Sequence, residues 1–225
     1  PINNKDYHGR VMCEAGFEQH PMALKAGLQK CELVMLRLYS GPMFAQYNGK
    51  MRAFLRCVQE ILPKDRKGLG PALVMAAMEA ARKRMGSEYV TSILVLVSAL
   101  LKLRTVCPLP PGRKVFRGFA GLETPQCFKF QDDRGNQGGV EFGFLSTSTC
   151  EQQAIGYIAF DKGMPQLYEM DLGQIDRGAD LSWISYFPGE AEVLLPPLSS
   201  LEATGAARFK NVLWRDAAGE TSLPK

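Results

Sequence analysis

Lys114-Val-Phe-Arg-Gly-Phe119, directly after the proline-rich break Pro108-Leu-Pro-Pro-Gly112, is where the apolar pattern changes period. Before it, apolar residues step by three and four. From Phe44 they fall at Tyr47, Met51, Phe54, Leu55, Val58, Ile61 and Leu62, a 3.6-residue repeat sustained over about five turns. Pro42 suits the start of that helix and Pro63 its end. Residues 24–38 and 71–85 carry further helical patterns, and residues 87–104 are apolar nearly all round, which predicts a central helix. After the break, residues 140–145 and 166–172 alternate, and residues 192–195 form a short apolar run stopped by Pro196 and Pro197. Stretches rich in glycine, proline and aspartate, notably residues 132–139, separate these segments, and only residues 151–158 read as a helix among them. Helices first and strands second predict an α+β fold rather than βαβ winding. The expected layout is a tail over 1–20, a helical lobe over 21–112 and a β core over 113–225.

Composition removes several chemistries. The 225 residues are 46% apolar, enough for a real core, and 27 Lys+Arg against 23 Asp+Glu leave a net charge of +4. The two histidines, His8 and His20, lie in the first 20 residues. A Ser-His-Asp triad, a Cys-His dyad or a histidine metal centre in the main body is therefore not expected. Residues 64–67 with Arg82, Lys83 and Arg84 are interrupted by acids and lack aromatic interleaving, so they read as a solvated helix face and not as a nucleic-acid site. The six cysteines show no C-x-x-C pair and no metal-ligand spacing, and are expected to be reduced core residues of a cytosolic protein. The apolar run 93–101 is too short for a span, which takes about 20 residues, so no membrane partner is expected. Gly68-Leu-Gly70 is followed by Pro71 and fits neither glycine-rich nucleotide fingerprint.

Three places could carry chemistry. Arg117 lies inside an apolar strand pattern, where an arginine needs an anionic partner: an internal carboxylate on one reading, a phosphate on the other. Gly118 beside it would let other groups approach the backbone closely. Ser146-Thr147-Ser148 ends the 140–145 segment; these hydroxyls can cap the following helix, or one can orient a neighbouring acid. Glu190-Ala191-Glu192 opens the apolar run that follows. Residues i and i+2 on a strand share a face, so both carboxylates are expected on one side. That pair is either a solvated strand end or an arrangement for acid/base chemistry and the stabilisation of an oxocarbenium ion.

Taken in order, an aromatic-Arg-Gly strand, a Ser-Thr-Ser strand end and a Glu-x-Glu strand start resemble the R-S-E class of mono-ADP-ribosyltransferases, the arginine-specific, clostridial-toxin-like type. The resemblance covers roughly residues 39–213, most securely 115–197, and takes in the helix before the arginine strand and the segment from Ile175 to Glu190. It implies a helical N-terminal lobe packed on a split β-sandwich of two small sheets, with NAD+ as co-substrate in the cleft between them and no metal. It further implies that Arg117 binds NAD+ phosphate and that the Gly118 backbone meets the nicotinamide amide. Ser146 would position Glu192 as the catalytic glutamate, while Glu190 would face an arginine on a protein substrate. Ser185-Tyr-Phe-Pro-Gly189 would be a target-recognition turn with Tyr186 or Phe187 as its exposed aromatic. Tyr157 and Phe160 are candidates for stacking on nicotinamide. The same site could instead hydrolyse NAD+, or bind it without turnover.

Overall fold

In the computed structural model, residues 16–64, 69–86, 88–106, 110, 112–158, 162–173, 178–205, 207–209, 214–215 and 221–222 are described. His8, Cys13, residues 65–67, Cys107, Pro108, Pro111, Phe160 and residues 175–177 lie outside them.

His20 opens the helical half. Its Nδ1 accepts from the Met22 amide at 3.2 Å, capping α1 (Pro21–Ala26), and its ring stacks on Trp183 at 4.5 Å. The pattern over 24–38 is two helices, not one: Gly27, at φ 61°, ends α1, and α2 (Lys30–Leu38) restarts three residues later. A π-helical turn, Tyr39–Met43, holds Pro42 and bends the chain at Gly41 before α3 (Phe44–Ile61). Next come α4 (Pro71–Met85) and α5 (Val90–Val106). α5 is central on one side only: Leu96, Ala99, Leu100 and Leu103 are buried, whereas Leu94 and Leu101 are exposed. Among the described residues no single helix is long and apolar enough to cross a membrane. On α4, Arg82 pairs with Glu79 and Arg84 with Glu60, as a solvated face requires.

The strands follow as β1 (Lys114–Ala120), β2 (Gly138–Glu141), β3 (Leu145–Ser148), β4 (Pro165–Asp171), β5 (Ala179–Asp180), β6 (Glu192–Leu195), β7 (Ser199–Glu202), β8 (Trp214–Arg215) and β9 (Thr221–Ser222). Short helices α6 (Gln126–Lys129) and α7 (Glu151–Gly156) lie between them. Among the described residues all pairings are antiparallel: a five-stranded sheet ordered β4-β1-β3-β6-β5, a two-stranded sheet β2-β7, and the ribbon β8-β9. The alternating 140–145 segment is therefore not one strand. Its first part pairs with β7 and its last residue opens β3 in the other sheet. The crossing is enforced by three contacts of Gly143 and Phe144. Gly143 donates its amide to Glu141 Oε1 at 2.8 Å, Phe144 donates its amide to Asn48 Oδ1 at 2.8 Å, and the Phe144 ring packs on Tyr39.

Three apolar clusters hold the described residues together, one of them joining α3 and α4 through Cys57, Val58, Ala77 and Ala81. Leu33, Leu36, Tyr39, Leu96, Leu100 and Leu103 from the helices bury against Phe144, Ala179, Leu181, Ile184 and Leu194. Each such leucine stabilises the fold by roughly 1.5–3 kcal/mol. On the opposite face of the sheet, Val115, Leu145, Val193 and Leu195 pack with Met170, Leu172 and Leu201, the last carried by β7. The four described cysteines are free, but only Cys57 is a core residue; Cys31 and Cys127 are exposed and Cys150 is half-buried. The expectation of six core thiols does not hold, because Cys31 and Cys127 fall on the solvent side of α2 and α6.

Candidate active site

The site forms where β1 and β3 part. β1 runs beside β4 along its whole length, from Lys114↔Asp171 to Ala120↔Pro165, but meets β3 at one pair, Phe116↔Ser148. The Thr149 amide bonds the Ala191 carbonyl at 3.1 Å, and the alternation of an antiparallel ladder then turns the Ser146 carbonyl toward β1. With β1 diverging, that carbonyl is taken by Arg117, whose Nη1 donates to it at 2.8 Å. No carboxylate of the described residues lies within ion-pair distance of Arg117, so its buried-pair reading fails. Burial lowers the pKa of Arg117 from the ordinary arginine value, while Glu141 nearby favours its charge and Arg52 opposes it.

Ser146 and Glu192 are diagonal neighbours on one face of the β3-β6 pair, whose register places Ser146 opposite Leu194 and Ser148 opposite Glu192. The Ser146 hydroxyl donates to Glu192 Oε1 at 2.6 Å. Glu192 is only 6% exposed. Burial pushes its carboxyl up to about 7; the Ser146 hydrogen bond works against that rise, Glu190 adds to it and Arg117 opposes it. Tyr39 stands close enough that, after burial itself, the Glu192 charge also pushes its phenol up.

The other hydroxyls brace β6 and the turn before it, and Ser148 Oγ also accepts from the Cys150 amide at 3.0 Å. Thr147 Oγ1 donates to the Val193 carbonyl at 2.7 Å, and Ser148 Oγ to the Glu190 carbonyl at 2.6 Å. α7 has Cys150 at its N-cap with no side-chain cap, which corrects the capping reading.

Glu190 departs from expectation. It ends a 3₁₀ turn, Pro188–Glu190, and Ala191 adopts a left-handed conformation at φ 47° before β6 begins at Glu192. The two carboxylates therefore do not share a strand face by i, i+2 alternation. They remain near enough for Glu190 to raise the Glu192 pKa. Glu190 Oε1 accepts a hydrogen bond from the Tyr157 hydroxyl.

Tyr186 is 1% exposed, not a surface aromatic. The Arg37 guanidinium lies 3.8 Å from its ring centroid, and a Cβ on Gly41 would stand 3.2 Å from the ring. Phe187 is half-buried, with its amide donating to Ser185 Oγ at 3.0 Å. Gly118 is close-packed, but by protein: a Cβ there would lie 2.1 Å from the Ala154 carbonyl oxygen and 2.6 Å from Ile158. Its smallness seats α7 on β1. Sequence reasoning missed Asn48 and Arg52. Arg52 Nε donates to Glu141 Oε1 at 3.2 Å, beside Arg117. The available signal was a polar pair at i, i+4 flanking the apolar stripe of α3.

A desolvated carboxylate fixed by a hydroxyl, a second carboxylate one turn away and a guanidinium across the parted strands can stabilise a growing positive charge and hold an anion nearby. No family model and no curated protein sequence matches the chain. Among solved structures it is similar to the ADP-ribosyltransferase HopU1 of Pseudomonas syringae pv. Tomato DC3000, with a TM-score of 0.58 at 20% identity over 93% of this chain and 81% of that one. The ADP-ribosyltransferase Vis, crystallised with the inhibitor M6, gives 0.50 at 20% identity over 88% and 73%. With helices preceding two antiparallel sheets, and these structures as its counterparts, the chain has the ADP-ribosyltransferase fold.

Proposed function

We propose that this protein cleaves NAD+ and transfers the ADP-ribose to an arginine side chain of a protein. The observation that carries the proposal is the buried Glu192 carboxylate held by Ser146 at 2.6 Å. Nicotinamide leaves with the electron pair of its bond to ribose C1′ and needs no acid to protonate it. Positive charge grows on the ribose, and a fixed carboxylate in a dry site stabilises it without reorganisation. A guanidine nitrogen of the acceptor then bonds to C1′. The acceptor guanidinium holds its proton far above neutral pH and is weakly nucleophilic, so Glu190 is assigned to bind it and take its proton as the bond forms. Arg117, with no carboxylate partner at ion-pair distance among the described residues, is the cation assigned to the pyrophosphate. The edge of β1 that parts from β3 leaves the Gly118 main chain to the nicotinamide amide. Phe187 and its neighbours in the 185–189 turn are assigned to target recognition.

Incubation with labelled NAD+ and the free guanidine acceptor agmatine tests this. Wild type should yield labelled agmatine and Glu192→Gln none; equal label from both would place the activity elsewhere. Hydrolysis as the main activity is separated by Glu190→Ala. Transfer should fall by at least about a hundredfold and NAD+ cleavage far less, since only transfer needs the acceptor base.

A further inference from the structure

Glu190 lies in a turn rather than on a strand, so the ladder does not orient its side chain. Its main chain is pinned twice: its amide donates to the Phe187 carbonyl at 3.0 Å, and its carbonyl accepts from Ser148 Oγ at 2.6 Å. The side chain is met from the other direction by Tyr157, the residue that ends α7. α7 reaches that place because it sits directly on β1. The Ala154 carbonyl occupies the space a Cβ of Gly118 would take, and Ile158, the residue after Tyr157, closes against the same glycine. Gly118, α7, Tyr157 and Glu190 thus form one mechanical chain from the arginine strand to the second glutamate.

We propose that Tyr157 is the positioning residue for acceptor binding: its hydroxyl holds one carboxylate oxygen of Glu190 and so fixes the rotamer in which that carboxylate meets the incoming guanidinium. The proposal rests on the reading of Glu190 as the acceptor-facing group. A carboxylate held by a tyrosine hydroxyl loses rotamer freedom before the acceptor arrives, which lowers the entropic cost of binding. Tyr157 is 55% exposed, so removing its hydroxyl leaves the core intact.

The test measures agmatine transfer and NAD+ hydrolysis by the full chain for wild type, Tyr157→Phe and Glu190→Ala. The phenylalanine keeps the ring and deletes only the donor. The ratio of transfer to hydrolysis should fall roughly tenfold in Tyr157→Phe, mainly through a raised KM for agmatine, the size expected for one hydrogen bond to a charged group. If Glu190→Ala removes transfer but Tyr157→Phe leaves the ratio unchanged, the positioning role is wrong while the reading of the site stands. Equal loss of both activities in Tyr157→Phe would place Tyr157 on the NAD+ side and also overturn it. An unchanged ratio in Glu190→Ala would instead remove the reading of the site itself.

Discussion

Glu192 and Glu190 are two residues apart and chemically identical, yet the fold treats them in opposite ways. Glu192 begins a buried strand, is almost sealed from solvent and is held by a serine from the neighbouring strand. Glu190 ends a turn, is half-exposed and is held by a tyrosine from the end of a helix. The left-handed Ala191 between them makes the difference, because it turns the chain so that the two side chains no longer follow strand alternation. Environment, not residue type, separates the two carboxylates, and on the proposed reading it makes one the charge-stabilising group and the other the acceptor-binding one.

The comparison can be broken first at Glu192. Glu192→Gln should lower NAD+ cleavage by about a thousandfold, the upper range for one electrostatic group in a preorganised site, read as nicotinamide release. The same residue sets a pH dependence. On the proposed mechanism the ionised form is the working one, so kcat/KM for NAD+ should fall tenfold per unit below a pH of about 7. Stability runs the other way. Folded Glu192 keeps its proton up to about pH 7, against the ordinary glutamate value of 4.5. The folded state therefore binds more protons between those values, and its stability declines as the pH rises through that window. Glu192→Gln should accordingly melt higher than wild type at pH 8, by about 5 °C, and by little at pH 4.

A smaller loss is expected at the hydroxyl. Ser146→Ala frees the carboxylate to rotate and removes the bond that opposes its raised pKa. NAD+ cleavage should drop roughly tenfold to a hundredfold, and the acidic limb of its pH profile should move upward. No movement of that limb would mean that Ser146 does not act through Glu192.

Gly118→Ala addresses the Glu190 side. The added methyl collides with the Ala154 carbonyl and with Ile158, and must displace α7. Overpacking of this kind costs about 1–3 kcal/mol, visible as a lowered Tm. Because α7 carries Tyr157, the ratio of transfer to hydrolysis should fall along with stability.

Periodic segments were legible before the structure. The helices over 44–61 and 71–85, and the strands at 114–120, 165–171 and 192–195, follow directly from 3.6- and 2-residue patterns. The strand positions of Arg117, Ser146 and Glu192 were legible because each sits in or beside a segment whose pattern marks the register. What escaped depends on contacts between distant segments. The split of 140–145 is decided by Asn48, and the burial of Tyr186 by Arg37, neither of which is adjacent in sequence. Glu190 was misplaced because a 3₁₀ turn with a left-handed alanine carries no periodic signature. Tyr157 was singled out for its ring, and the contact of its hydroxyl with Glu190 was not foreseen.

Arg37 ties the segment leading to Glu190 into the helical half. Its Nη1 donates to the Ile184 carbonyl at 2.7 Å while its plane lies on the Tyr186 ring, with Phe17 beyond at 5.1 Å. A docking macromolecule that touches the 187–190 corner thus meets a surface already set in shape, braced from inside by helix α2. If that corner recognises the target, as proposed, little ordering of it is left to be done on contact, and selectivity there is expected from shape matching more than from adaptation.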